Sequence, residues 1–193
     1  MRKAFQIFVR IISILLELAL FTTILLFFYI IIKGTIPPPK VDKKEIPERV
    51  RLAENYYAVG YNYLRLNEEG IWEMYLEGSS YERGLAYGAL TKDLNNYQEE
   101  VFVASINNFV PKGLFQDILK IFVSFFNADI PKHIPDEYQK ELYGISRTFS
   151  DEFDYIGSKY SRILNYHAAH DLGHALNDYS VVGCTSFAVN GSK

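Results

Sequence analysis

The sequence predicts a mainly α-helical chain with short strands, preceded by one transmembrane helix. Three observations predict it. Residues 11–32, IISILLELALFTTILLFFYIII, are almost wholly apolar. At 1.5 Å per helical residue such a run crosses the ~30 Å hydrocarbon core of a bilayer. Apolar residues then recur at spacings of three and four through most of residues 46–176, the mark of amphipathic helices. The character changes near the end, where Val181-Val182-Gly183-Cys184-Thr185-Ser186-Phe187-Ala188-Val189 is β-rich and runs into Asn190-Gly191, a hairpin-turn pair.

Composition narrows the function classes. Apolar residues are 49%, charged residues 22% and aromatics 16% of the 193 residues, which excludes intrinsic disorder and fibrous repeats. Four of the 20 basic and one of the 23 acidic side chains lie in residues 1–33, so the remainder is acidic. That balance gives no basic surface for nucleic acid, and no nucleic-acid partner is expected. A single cysteine excludes an intrachain disulfide framework and any multi-cysteine zinc site.

Residues 1–33 read as an uncleaved signal anchor. The apolar run ends in Tyr29-Ile30-Ile31-Ile32-Lys33 with no small-residue cleavage site, which disfavours a removable signal peptide. Arg2, Lys3 and Arg10 precede the span; Lys33, Lys40, Lys43 and Lys44 follow it. The positive-inside rule and a short basic head together predict a single-pass membrane protein with its domain on the non-cytoplasmic side. Glu17 lies inside the span, where a charge costs roughly 2.5–3.5 kcal/mol. It is either a tolerated carboxyl or a helix-contact or proton-linked group.

Residues 34–47, GTIPPPKVDKKEIP, form a Pro- and Lys-rich linker expected to be extended and to hold the domain off the membrane. From about Pro47 to Leu66, the spacing of Leu52, Tyr56, Val59, Tyr63 and Leu66 predicts a helix. Residues 71–76 predict a short strand. Ser79 with Glu82 three positions later is a capping-box pair, so a helix is expected from there to about Asn107. Gly84 and Gly88, one turn apart, predict close backbone packing in preference to a phosphate loop. Further helices are expected over residues 114–127, over 136–149 after the breaks at Pro131 and Pro135, and from about Tyr155 to Leu176. Residues 48–183 thus form a helical segment, and residues 184–193 begin something different. A strand followed by a hairpin turn needs a partner strand, so the sequence is expected to be partial or to borrow strands from another chain.

Two constellations carry chemistry. The first is Cys184, either a small core residue or a reactive thiol. Gly183 has no Cβ, so the preceding carbonyl is open to attack by the neighbouring thiol. Attack gives an N-to-S acyl shift, and hydrolysis frees Cys184 as a new N-terminus. Its α-amine, with a pKa of roughly 7.7–8 in model peptides, then serves as general base for its own thiol. The second is His167-x-x-His170-Asp171-x-x-His174, whose three histidines fall on one helix face. His170 and His174 have metal-ligand spacing, although no H-E-x-x-H motif is formed. The alternatives are a metal-dependent hydrolase, a polar cluster of His170, Asp171 and His174 bracing the residues near Cys184, or no special role. A third reading of the chain is a membrane-anchored helical interaction module without enzymatic activity.

Gly183-Cys184-Thr185-Ser186-Phe187 resembles the processing site of the isopenicillin-N acyltransferase-like family of cysteine N-terminal-nucleophile (Ntn) hydrolases. Glu77-Gly78-Ser79-Ser80-Tyr81-Glu82-Arg83-Gly84 with Gly88 is similar to that family's E-G-s-x-x-e-x-G-x-x-x-G helix start, and Glu141-Leu142 with Gly144-Ile145 resembles a further family segment. The resemblance implies a proenzyme cut before Cys184, an αββα sandwich of which this chain holds the N-terminal portion, and hydrolysis of, or acyl transfer from, a linear amide. Cys184 would be the nucleophile and Gly183–Cys184 the cleaved bond. The family's remaining catalytic groups lie beyond the cysteine, in a β-chain supplied in cis or in trans. No metal and no cofactor is expected. The expected partners are the membrane and a small acyl-amide substrate.

Overall fold

The computed structural model describes residues 2–110 and 113–175, with residues 3–4 and 169–175 through their backbone alone. The described part is mostly helical with one small antiparallel sheet. Helix α1 runs Arg2–Gly34. Its stretch Phe5–Gly34 is 30 residues and holds an 18-residue window with a mean hydropathy of 2.5, none of it buried, long and apolar enough to cross a membrane. Inside it the Ser13 hydroxyl donates to Glu17 Oε1 at 3.0 Å, giving the lone carboxyl of the span a partner one turn away.

Residues 35–49 have no regular secondary structure, yet they are fastened down. Ile36, two residues beyond α1, is 4% exposed and belongs to a core cluster with Phe149, Tyr160, Ile163 and Leu164. Lys44 pairs with Glu82 at 2.5 Å and Arg49 with Asp93 at 2.6 Å. The segment lies along the domain and starts inside its core.

The expected helix over 47–66 is not there. Its place is taken by three strands, β1 (Val50–Ala53), β2 (Tyr56–Val59) and β3 (Asn62–Leu66), joined by β4 (Trp72–Tyr75) into a four-stranded antiparallel meander in sequence order. Two-residue turns at Glu54-Asn55 and Gly60-Tyr61 make the hairpins, with positive φ at Asn55 (54°) and Gly60 (57°). Strands of four or five residues with two-residue turns repeat about every six residues. The seven-residue recurrence of Leu52, Val59 and Leu66, and of Tyr56 and Tyr63, gives helix-like intervals without a helix. The decisive chemistry is the enrichment in Tyr and Val, which suits pleated strands, and Gly60 in the middle, which weakens a helix.

The sheet has two unlike faces. Tyr57, Leu64 and Met74 are cross-strand neighbours that, with Val59, pack against Ala86, Ala89 and Leu90 of helix α2 (Ser80–Leu90). On the opposite face Tyr63 stacks on its cross-strand partner Tyr75 with ring centroids 5.7 Å apart. Arg65 pairs with Glu73 at 2.8 Å on the same face.

The capping-box helix starts where expected, at Ser80, but does not run unbroken to residue 107. Thr91 leaves the helical conformation, and its hydroxyl donates back to the Tyr87 carbonyl at 2.8 Å. Such back-bonding competes with the backbone ladder and bends the chain. Helix α3 (Lys92–Phe109) follows directly. Helix α4 (Leu114–Phe126) follows, then a 3₁₀ turn (Asn127–His133) holding Pro131, then α5 (Asp136–Ser146). A second 3₁₀ turn (Asp151–Phe153) precedes α6 (Lys159–Ala175), which starts four residues later than the spacing suggested. In section the domain is sheet, α2, α5 and α6, with Ile36 sealing the α5–α6 layer.

Candidate functional site

Two segments quoted for the family resemblance are far apart in sequence and meet in space. Helices α2 and α5 form the most extensive interhelical contact of the domain. Their backbones approach so closely that a Cβ on Gly84 would lie 2.1 Å from the Glu141 carbonyl oxygen. On the facing helix, a Cβ on Gly144 would lie 2.7 Å from both the Leu85 nitrogen and the Tyr81 oxygen. Both glycines are therefore required by the seam, and Gly88 continues it against Ile145 and Thr148. Side chains lock the same contact: Arg83 donates to Glu141 Oε2 at 2.8 Å, Arg147 donates to the Tyr81 hydroxyl at 2.7 Å, and Tyr81 stacks on Tyr143. At the entrance to α2, Glu82 accepts from the Ser79 backbone N–H at 2.9 Å, from the Ser79 hydroxyl and from Lys44. These donors, Lys44 first, hold the Glu82 carboxyl down to about 2.

A buried charge cluster joins α3 to α6. The Arg162 guanidinium is fully buried. Its Nε lies 2.8 Å from Glu99 Oε1, and the Glu99 side chain is 1% exposed. Arg162 also donates to the Ser150 carbonyl and to Asp154 Oδ1, both at 2.6 Å, while the Tyr166 hydroxyl donates to Glu99 Oε1 at 2.7 Å. Burial, and then the hydrogen bond to Glu99, push the Tyr166 phenol well above its ordinary range. The ring of Phe149 packs against the guanidinium. Sequence reasoning passed over Arg162 and Glu99, because a lone Arg and a lone Glu on amphipathic helices look like solvated residues.

Between α3, α4 and α6 lies a groove of about 540 Å³. Phe102, Ile106, Leu119, Val123 and Tyr166 form its apolar walls. Its polar rim is already engaged: Gln116 bonds Asn107 and the Val110 carbonyl, and Asn127 bonds Asn165. Size and lining are those of a site for an apolar ligand.

The residues proposed from sequence for chemistry fall at and beyond the end of this framework. Gly183 and Cys184, with the expected strand over 181–189, lie outside the described residues. His170, Asp171 and His174 are described in backbone only, within α6, which is helical through Ala175. His167 is exposed on the same helix. Among the described residues no group of three or more His, Cys, Asp or Glu side chains is placed to hold a metal ion. No protein-family model, curated protein or solved structure matches this chain.

Proposed function

We propose that residues 1–193 are the N-terminal, membrane-anchored portion of a self-processing cysteine Ntn amidohydrolase or acyltransferase acting on a linear amide. One observation carries the reading beyond the motifs themselves. The Glu77–Gly88 and Glu141–Ile145 segments, which resemble the family independently, pack on one another through Gly84 and Gly144 and the Arg83–Glu141 pair. Residues that would be incidental in separate matches are here parts of one contact. The basic head Arg2, Lys3 and Arg10 favours a cytoplasmic N-terminus and a domain on the far side of the membrane.

The chemistry runs in two stages. The Cys184 thiol attacks the Gly183 carbonyl, the amide bond breaks as the thioester forms and releases the Cys184 α-amine, and water hydrolyses the thioester to give the Gly183 carboxylate and the free Cys184 thiol. That amine then takes the thiol proton as the thiolate adds to the substrate carbonyl. Collapse of the tetrahedral adduct breaks the C–N bond, the proton passes to the departing amine, and the acyl group stays on sulfur. Water or a second amine attacks the thioester and restores the thiol. The groove between α3, α4 and α6 is suited to the apolar part of the acyl group.

The reading requires a catalytic chain beyond Lys193, so the test uses protein expressed from its complete reading frame. Mass spectrometry of the wild type is expected to give a fragment beginning at Cys184, and Cys184→Ala an intact chain. A wild type that stays uncut yet hydrolyses amides would sink the mechanism, since Cys184 would have no free α-amine.

A further inference from the structure

We propose that helix α4 is an in-plane membrane helix, its exposed apolar face set into the surface of the bilayer that α1 crosses. The occupant of this face is lipid. The inference does not rest on the Ntn reading.

The face is unusually apolar for water. Leu114, Phe115, Ile118, Phe122 and Phe126 are all more than half exposed. At 100° per residue they occupy one arc of about 120°. Asp117 and Lys120, which pair at 2.7 Å, sit on the opposite side of the helix together with Gln116 and Ser124. A helix divided in this way, with large aromatic residues on the apolar side, suits the boundary between headgroups and acyl chains. Phe125 falls in the same arc and packs against Tyr29 and Lys33 of α1, and Phe122 and Phe126 border the groove; Leu114, Phe115 and Ile118 are the part of the face that lies away from both.

Its position selects lipid as the occupant. α4 is held against the last turn of α1. A Cβ on Gly34 would lie 3.0 Å from Ser124 Cβ, Tyr29 meets Phe125 edge to face, and the Lys33 ammonium lies over the Phe125 ring. Contact stops there. Residues 5–29 of α1 are exposed, and only Ile30, Lys33 and Gly34 of its final turn are half-buried. A 13-residue helix is about 20 Å long. Its contacts with α1 are made by Ser124 and Phe125 in its own last turn, so that end of α4 is fixed at the end of α1. The end of a membrane span, carrying Tyr29 and Lys33, is the level of the interface. A helix with one end fixed at that level and an unpaired aromatic face is placed to lie along the membrane surface with that face toward the bilayer.

The experiment uses the full chain in lipid nanodiscs, in a Trp72→Phe background with one new tryptophan at a time. Phe115→Trp and Ile118→Trp report on the free face, since neither residue lines the groove. Tyr61→Trp, at an 85% exposed hairpin tip, reports on water. Each variant is checked for retained helicity by circular dichroism, and both face positions are used so that one poorly folded variant does not decide the result. Tryptophans at 115 and 118 are expected to emit at shorter wavelength than the one at 61. Lipids brominated near the top of the acyl chain should quench them, and lipids brominated near the chain end should quench them less. Emission at 115 and 118 as red and as unquenched as at 61 would overturn the proposal. So would blue emission without quenching, which would mean that protein covers the face, either a second copy or the chain itself. Strongest quenching from the chain end would also overturn it, because the helix would then lie deeper than the interface.

Discussion

Gly84→Ala tests the seam on which the domain depends. The added Cβ would lie 2.1 Å from the Glu141 carbonyl oxygen, against the 3.4 Å of ordinary contact. The obstacle is backbone, with no flexible side chain to swing aside, so α2 and α5 must part by about 1.3 Å. Parting strains the Arg83–Glu141 pair at 2.8 Å and the stack of Tyr81 on Tyr143. Overpacking of this kind costs about 1–3 kcal/mol. Alanine recovers up to about 1 kcal/mol through its better helix propensity. A rigid obstacle puts the cost at the upper end, leaving a net loss of about 2 kcal/mol, which for a domain of this size lowers Tm by about 4–8 °C. The assay is thermal unfolding of the full chain in detergent. It is followed in the near-ultraviolet circular dichroism, where ordered tyrosines report the seam and α1 contributes little. Gly157→Ala is the control, since its Cβ would meet nothing closer than Ser161 Cβ at 3.9 Å. If Gly84→Ala melts with the wild type and with Gly157→Ala, the two helices do not touch as described, and the joining of the two motif segments fails with them.

Two further outcomes follow from the charged groups. Arg162→Met leaves the Glu99 carboxylate buried without its cation and is expected to cost about 3–5 kcal/mol in denaturant unfolding. Arg162→Met combined with Glu99→Leu should recover most of that loss; additive losses would show that the two residues do not act as a pair. Glu82 titrates at about 2 in the folded chain against an ordinary 4.5, so its contribution is present above about 4.5 and is lost as pH falls through about 2. Stability curves from pH 6 down to 2 should therefore fall less steeply for Glu82→Gln than for the wild type, and parallel curves would refute the Lys44–Glu82–Ser79 linkage.

What could be read from the sequence depended on how local each signal was. The long apolar helix α1 needs only its own composition, and the start of α2 only Ser79 and Glu82, so both were legible. The demand for close approach at Gly84 and Gly88 was legible too, because glycine pairs one turn apart in a helix have few other uses. The partner was not, since nothing in residues 77–88 names Gly144. The meander was misread because Leu52, Tyr56, Val59, Tyr63 and Leu66 recur at intervals of four and three, the spacing of a helix face, although they lie in short strands. Turn chemistry at Asn55 and Gly60 outweighed that spacing. The Arg162–Glu99 pair was illegible for another reason. Burial of a charge is decided by what surrounds it, and the groups around this pair come from both ends of the second 3₁₀ turn (Ser150 and Asp154) and from Tyr166 of α6.

The junction after α1 changes what the anchor does. An extended Pro- and Lys-rich spacer, as the sequence of residues 34–47 suggests, would stand free of the domain and hold it away from α1. Ile36 does not allow it. Placed two residues beyond α1 and 4% exposed among Phe149, Tyr160, Ile163 and Leu164, it is core. With Gly34 against Ser124 and Lys33 over Phe125, the end of the span is held at three successive points over four residues. Rotation of the domain about the membrane normal would have to pull Ile36 out of its cluster. Truncating a buried Ile costs about 2–5 kcal/mol, and extracting it entirely exposes at least as much surface. That is a large share of the roughly 5–15 kcal/mol that holds a domain folded. The domain therefore keeps one orientation relative to α1, and the groove behind α4 keeps one height relative to the end of the span. With α1 in a bilayer, as proposed above, a ligand with an apolar tail drawn from the lipid would meet that groove at a fixed depth, which a swinging domain could not offer.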